Sequence, residues 1–170
     1  MSLRDESFVL KTPFHDRVAA ACERNLWEHW AGYTTPSEYH SAELEYFAAR
    51  NAAAVFDLSP MTKYRISGPD AHAYLDRLVT RDLSKLKVGR VMYCLWCNDQ
   101  GQVMDDGTLF RLSEETFRLC AQERHLDWLS WSALGFDVEI VDETADVAAL
   151  ALQGPTSCAV LKRMGLTGVD

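Results

Sequence analysis

Seven short patterned segments between residues 63 and 140 constrain the fold of this chain more than any other feature. Five of them read as strands, some alternating apolar with polar residues and one, 91–97, continuously apolar like a buried strand; the other two repeat apolar residues at helical spacing. Their order is strand, helix, three strands, helix, strand. This order predicts an α+β fold, a ferredoxin-like split βαβ subdomain with a mostly antiparallel sheet. The strands are predicted at 63–67, 91–97, 102–112, 116–121 and 136–140, and the helices at 70–78 and 123–134.

The residues that precede this unit predict two further helices. One covers 12–25, with Thr12 as its N-cap and a proline at the first helical position, and the other covers 43–53. Trp27 and Trp30 also have helical spacing, which is typical of core or domain-contact positions.

The segment Val147–Leu152 is uniformly apolar and predicts a buried strand in a sheet outside the ferredoxin-like unit. Gly154-Pro155 ends it and starts a last helix, so we expect the chain to stop inside a second domain. The predicted domains are 1–59, the N-terminal part of that second domain, 60–146, the α+β subdomain, and 147–170, the truncated return segment.

Composition and charge exclude several classes of protein. With 48% hydrophobic and 25% charged residues, the chain has globular composition. The formal net charge of −8 disfavours a nucleic-acid surface, which needs clustered Lys and Arg. No apolar run approaches the ~18 residues of a membrane span. Because residues 1–6 lack an apolar core, we expect no signal peptide and a cytoplasmic location.

The cysteines and histidines do not predict a metal site. Five cysteines, an odd number, indicate reduced thiols in a cytoplasmic protein. The pair Cys94 and Cys97 lies in a predicted strand, where positions three apart point to opposite faces, and no second such pair exists. None of the five histidines has the spacing of a metal-binding motif.

Asp105 and Asp106 are adjacent carboxylates in an otherwise apolar strand, and a buried carboxylate needs a partner. Strand alternation places them on opposite faces, so only one can line a given pocket. Tyr93 lies across the predicted hairpin and can approach Asp106. Two other interpretations stay open, a hairpin with solvated edges or acids paired with Arg90 or Arg111.

Several motifs in a fixed order make the chain resemble the N-terminal half of the aminomethyltransferase family. This family contains the T-protein of the glycine cleavage system and the tetrahydrofolate-dependent demethylases. The motifs are Thr12-Pro13-Phe14-His15, Ala31–Pro36, Ala49–Met61, Ser67–Ala71, Leu78–Leu83, the spaced set Gly89, Arg90, Tyr93, Asn98, Gly101, Asp105 and Asp106, and Ala151–Pro155.

The resemblance implies folate-dependent one-carbon transfer, with a methyl or aminomethyl group passing from a small-molecule donor to tetrahydrofolate. It implies that residues 1–59 and 147–170 belong to a folate-binding domain. It also implies that Asp106 is the catalytic carboxylate, facing the reactive nitrogens of tetrahydrofolate. Tyr93 lines the same pocket and Met61 borders it. A true T-protein would also have a lipoyl carrier protein as partner.

Departures from the family pattern favour the demethylase side. Pro60 stands at the histidine of the family's SHM motif, Gly107 follows the two aspartates in place of an aliphatic residue, and Phe110 replaces a common tyrosine. The asparagines of the family's VNAxN segment are missing at 119–123.

Family members are more than twice this length, so we expect a fragment that is inactive alone. Its uncovered apolar surface predicts a homodimer. Two alternatives stay open, a non-catalytic folate-binding relative in assembly or regulation, and a plain interaction domain.

Overall fold

The computed structural model describes residues 9–169, which form two compact units. Unit 1 contains residues 9–60 and 148–169, and unit 2 contains residues 61–147. Residues 1–8, where the sequence predicts no signal peptide, and Asp170 lie outside the described residues. The assignment of unit 1 to a folate-binding domain stays a prediction.

The helices and strands of both units are named here in chain order. They are β1 (Leu10–Lys11), α1 (His15–Ala21), β2 (Leu26–Trp30), β3 (Tyr33–Glu38), α2 (Ala42–Asn51), β4 (Ala54–Asp57), β5 (Thr62–Ser67), α3 (Ala71–Leu78), β6 (Val91–Cys97), β7 (Val103–Arg111), β8 (Thr116–Ala121), α4 (Leu126–Ser132), β9 (Glu139–Asp142), β10 (Leu150–Gln153) and α5 (Ser157–Arg163).

Unit 2 has the predicted α+β fold, with five antiparallel strands in the order β6-β7-β8-β5-β9. The order β9-β5-β8-β7 is that of a split βαβ unit, and β6 extends it at one edge. One face of the sheet packs against α3 and α4 around a core that includes Trp96, Tyr64, Tyr74, Phe117 and Leu129. The other face carries Asp106 and Tyr93, and is here called the open face.

Gly107 is required where β7 crosses β8. A Cβ at this position would clash with the backbone carbonyl of Cys120. The glycine that departs from the family pattern therefore permits the close approach of these two strands.

Unit 1 differs from the sequence prediction between residues 22 and 38. The first helix ends at Ala21, and Trp27 and Trp30 lie in β2, not at helical positions. Ala31 and Gly32 both have positive φ, at 49° and 89°. They make the two-residue turn that joins β2 to β3, and this turn geometry fits the twist of paired strands.

Thr12 is not a helix cap. The helix α1 begins at His15, and its N-cap residue Phe14 makes no side-chain capping bond. The Thr12 hydroxyl instead donates to the carboxylate of Asp57 at 2.5 Å, which links the start of the described chain to the end of β4.

The apolar C-terminal segment forms a strand, but the strand is not buried. β10 starts at Leu150 and pairs only with β4 among the described strands. Leu150, Val55 and Phe56 are all about half exposed. Two strands cannot cover both of their own faces, so the apolar side chains stay in contact with solvent.

All five cysteines are free, and Cys94 is buried in the core of unit 2. Within residues 9–169, no helix has the length and apolar character needed to cross a membrane. In the same part of the chain, no three His, Cys, Asp or Glu side chains are grouped as a metal site.

Tyr74 makes the stability of unit 2 depend on pH. Its ring is buried, its hydroxyl donates to the Leu129 carbonyl at 2.9 Å, and burial raises its pKa to about 12. The folded protein holds the Tyr74 side chain as the neutral phenol. The stabilisation that this side chain provides is therefore complete below pH ~10, the ordinary tyrosine pKa, and is lost as the pH rises towards 12. Tyr74→Phe cannot ionise, so we expect it to be about 1 kcal/mol less stable than wild type at pH 8.

At pH 11 the phenol is ionised in the unfolded wild-type chain but not in the folded protein, which lowers the free energy of unfolding by about 1.4 kcal/mol. The difference in stability between wild type and Tyr74→Phe should therefore disappear. Urea unfolding of both proteins at the two pH values measures this. Equal differences at pH 8 and pH 11 would show that the phenol is not held neutral.

Candidate functional site

The β6–β7 hairpin separates the two adjacent aspartates. The turn is closed by Asn98, whose side-chain oxygen accepts from the amides of Gln100 and Gln102 at 3.0 Å each. The register then pairs Asp105 with Trp96 and Asp106 with Leu95. Because Trp96 is fully buried in the core, Asp105 lies on the helix-covered face and Asp106 on the open face.

Asp105 is bound by groups of its own neighbourhood. Its carboxylate accepts from the amide of Asp106 at 2.8 Å and from the amide of Glu123 at 3.2 Å. It also contacts Nε2 of His125 at 3.1 Å, and its side chain is only 9% exposed. His125 stacks edge-on against Trp96. These partners hold the strand end in place and leave Asp105 no access to the open face.

Asp106 and Tyr93 come together on the open face. Tyr93 is directly opposite Thr108, two residues along β7 from Asp106, so the two side chains are diagonal neighbours. Interaction of the phenol with the neighbouring Asp106 carboxylate raises the pKa of Tyr93. Both residues are exposed, with Tyr93 at 57%. The pair is therefore accessible to a ligand.

Met61 lies immediately before β5, which is two strands from β7 in the sheet. Gly107 pairs with Ala121 and Ala121 pairs with Thr62, so these three residues form one row across the sheet. Met61 and Asp106 each precede a member of this row and therefore lie level with each other in the next row. Two strand spacings put the two backbones about 10 Å apart. The structure thus places Asp106 and Tyr93 side by side on the open face, whereas a shared cavity with Met61 stays a prediction.

A row of polar side chains crosses the open face and was not anticipated as a set. The register aligns Tyr93 with Thr108, Thr108 with Cys120, and Cys120 with Lys63. Burial raises the pKa of the Cys120 thiol, and Lys63 acts in the opposite direction, so the thiol is not an activated nucleophile. The alternation of β8 could have placed Cys120 outward, because Phe117 and Leu119 are predicted inward.

Beside this row, a cluster of charged side chains connects β5, β8 and the end of β9. Glu143, only 15% exposed in its side chain, accepts from Arg65 at 2.8 Å and from Arg118 at 2.8 Å. Arg65 also reaches Glu139 at 3.5 Å. The open face therefore has an ion-paired end near β9 and an acid–phenol end near β6.

The acid–phenol end has defined chemical capacities. A carboxylate has about four acceptor positions, and one neighbouring phenol can occupy at most one of them. Asp106 can therefore accept a further N–H or stabilise a neighbouring cation. Leu95 is two residues from Tyr93 on β6, and Phe110 is four residues from Asp106 on β7. Both therefore provide apolar surface on the open face.

Comparisons with known proteins agree with this architecture. A curated aminomethyltransferase of Thermus thermophilus is 39% identical over 164 residues, which cover 94% of this chain and 46% of that protein. The aminomethyltransferase of Listeria welshimeri is 31% identical over 166 residues, with 95% and 44% covered. The chain thus spans about half the length of the curated relatives that it matches.

A solved structure gives the same result for the fold. The glycine cleavage system aminomethyltransferase T from Bartonella henselae superposes with a TM-score of 0.79 at 29% identity, over 94% of this chain and 45% of that one. The family model described as the GCVT N-terminal domain matches residues 14–169. The chain therefore belongs to the aminomethyltransferase (glycine cleavage T-protein) family and matches its N-terminal domain.

Proposed function

We propose that this chain supplies the tetrahydrofolate-facing part of a one-carbon transferase. Asp106 is the catalytic carboxylate, and Tyr93 and Met61 belong to the surface that binds tetrahydrofolate. The observation that carries the proposal is that Tyr93 and Asp106 are diagonal neighbours on the open face, while Asp105 is bound on the other face. Family membership supports the same assignment.

The residues of the open face suit tetrahydrofolate. Tetrahydrofolate supplies nucleophilic ring nitrogens that accept the one-carbon unit. A flat heterocycle with N–H donors needs an acceptor beside apolar surface, and Asp106 provides this acceptor next to Tyr93, Leu95 and Phe110. Strand pairing fixes the backbone position of Asp106 on the open face, directly opposite Leu95.

Each residue has a separate part in the proposed mechanism. Asp106 holds the proton of a ring nitrogen, which makes that nitrogen more nucleophilic, and stabilises positive charge on the incoming one-carbon donor. Tyr93 orients the carboxylate through its hydroxyl. Both residues are exposed in the free protein, so Leu95 and Phe110 strengthen these effects only once a bound ligand covers the surface and excludes water.

Two donors are compatible with this mechanism. The relatives' name supports transfer of an aminomethyl group, for which a lipoyl carrier protein would be the partner. The departures at Pro60, Gly107 and Phe110 favour a demethylase-like member that takes a methyl group from a small-molecule donor, for which an N-methylated amine serves as the probe. We favour the demethylase-like interpretation, in a cytoplasmic protein.

A chimera tests the function and the donor together. This chain would replace the matched segment of the Thermus thermophilus relative, so that the rest of that enzyme is intact. We expect tetrahydrofolate-dependent turnover of an N-methylated amine that exceeds turnover of an aminomethyl-lipoyl donor. The reverse preference would assign the chain to aminomethyl transfer.

A chimera that binds tetrahydrofolate but transfers from neither donor would support the alternative, a non-catalytic folate-binding relative. The presence of Asp106 argues against this alternative, because a relative that only binds has no need for the pocket acid. A chimera that neither binds nor turns over would contradict the proposal.

A further inference from the structure

Unit 2 contains a cavity of about 140 Å³ on its helix-covered side, away from the open face. Its walls come from α3, α4 and the turn between β6 and β7. The volume is roughly ten times the ~10–15 Å³ that one water molecule needs, and about half that of the smallest drug-sized pockets. A ligand for this cavity therefore has few non-hydrogen atoms.

Two opposite charges line this cavity without pairing with each other. Arg77 lies on α3 and Asp99 lies in the β6–β7 turn, and both residues are exposed. Among residues 9–169, neither side chain forms an ion pair or a hydrogen bond. A guanidinium and a carboxylate that share a cavity but remain apart leave both charges available to a ligand between them.

Local contacts restrict the positions of both charges before any ligand binds. The Arg77 guanidinium lies over the ring of Phe136, 5.8 Å from its centroid, in a cation–π contact. Asp99 belongs to a closed turn, in which the Gly101 amide donates to the Asn98 carbonyl at 2.9 Å. Binding therefore requires little ordering of the backbone, which reduces its entropic cost.

The rest of the wall contains an unsatisfied donor and an apolar surface. Trp128 lines the cavity, and its indole N–H is buried with no hydrogen-bond partner among the described residues. Such donors are uncommon in folded proteins, and an acceptor on a bound ligand would satisfy this one. The hydroxyls of Tyr74 and Ser132 already bond to each other at 3.1 Å and to the Leu129 carbonyl. Leu78 supplies the apolar surface.

These groups select a ligand by its charge. A simple anion would meet Asp99 as a like charge, and a simple cation would meet Arg77. A zwitterion satisfies both, and its carboxylate can form the paired hydrogen bonds that a guanidinium favours. We propose that the cavity binds a small α-amino acid, with its carboxylate at Arg77, its ammonium group at Asp99 and its side chain against Leu78. The proposal does not depend on which one-carbon reaction is catalysed.

The probe is L-alanine, titrated into this chain and followed by amide chemical-shift mapping. Propionate and ethylamine are its matched analogues, since the first lacks the ammonium group and the second lacks the carboxylate. We expect L-alanine to bind about tenfold more tightly than either, because each analogue loses a hydrogen bond between charged groups. The indole N–H signal of Trp128, assigned with Trp128→Phe, should shift as it gains an acceptor.

Two substitutions each remove one charge and keep a polar side chain. Arg77→Gln and Asp99→Asn should each weaken L-alanine binding about tenfold. Both residues are exposed, so neither change should disturb the fold. Arg81→Gln and Asp127→Asn are the matched controls, since these exposed residues carry the same charges but do not line the cavity. We expect both controls to bind L-alanine like wild type.

Each other result overturns the proposal. Propionate that binds as tightly as L-alanine, more so in Asp99→Asn, would make the cavity a site for simple anions. The corresponding result with ethylamine and Arg77→Gln would make it a site for simple cations. L-Alanine binding that survives both substitutions would lie elsewhere on the chain. No binding at tens of millimolar L-alanine would show that the cavity takes no amino acid.

Discussion

Asp106→Asn should lower kcat for one-carbon transfer by a factor of about 10²–10³ in the chimera, with a much smaller change in KM. Asparagine keeps the shape of the side chain but loses the negative charge. Charge stabilisation acts mainly in the transition state, so the loss appears in kcat. The size is typical of removing one preorganised electrostatic group.

A second readout of the same variant needs no turnover. The Asp106 carboxylate raises the pKa of Tyr93, so Asp106→Asn should lower that pKa towards the ordinary tyrosine value. Ultraviolet titration of wild type, Asp106→Asn and Tyr93→Phe isolates the tyrosine concerned. Wild-type kcat together with an unchanged tyrosine titration would mean that Asp106 has no role at the site.

Asp105→Asn should have the opposite effect, a loss of about 2 kcal/mol in the free energy of unfolding and little change in kcat. The Asp105 carboxylate, whose side chain is only 9% exposed, accepts from two amides and contacts His125, and asparagine can offer only one oxygen to them. Hydrogen bonds to a charged group contribute about 1.5–3 kcal/mol each.

Urea unfolding measures this effect, and Asp106→Asn is the matched control on the neighbouring residue. Because Asp106 is exposed, its substitution should change the free energy of unfolding by less than about 0.5 kcal/mol. If Asp105→Asn removed activity without loss of stability, the functional carboxylate would lie on the helix-covered face of β7.

Strand alternation accounts for what could be predicted about the aspartates. Successive side chains of a strand point to opposite faces of the sheet whatever the residue types. Because Asp105 and Asp106 are adjacent, the sequence alone predicts that they lie on opposite faces. The closeness of Tyr93 follows from the short turn after Cys97. In contrast, the alignment of Cys120 with Lys63 depends on long-range register, which no local pattern contains.

The same distinction explains the outcome in the two units. Unit 2 covers one face of its sheet with α3 and α4, so the order and type of its elements agree with its local patterns. Two bounds differ, since the strand predicted at 136–140 is β9 (Glu139–Asp142) and the helix predicted at 123–134 is α4 (Leu126–Ser132). In unit 1, the hairpin β2–β3 depends on positive φ at Ala31, an uncommon residue for that conformation, and helical spacing of the tryptophans was misleading. The burial predicted for β10 was wrong because its apolar residues are not covered by described residues.

Amide chemical-shift mapping with tetrahydrofolate tests the central claim most directly, since it detects even millimolar binding by this chain alone. The account predicts shifts that concentrate on the open face around Tyr93 and Asp106, extend towards Met61, and shrink in Asp106→Asn. Shifts confined to unit 1, or none at several millimolar tetrahydrofolate, would contradict it.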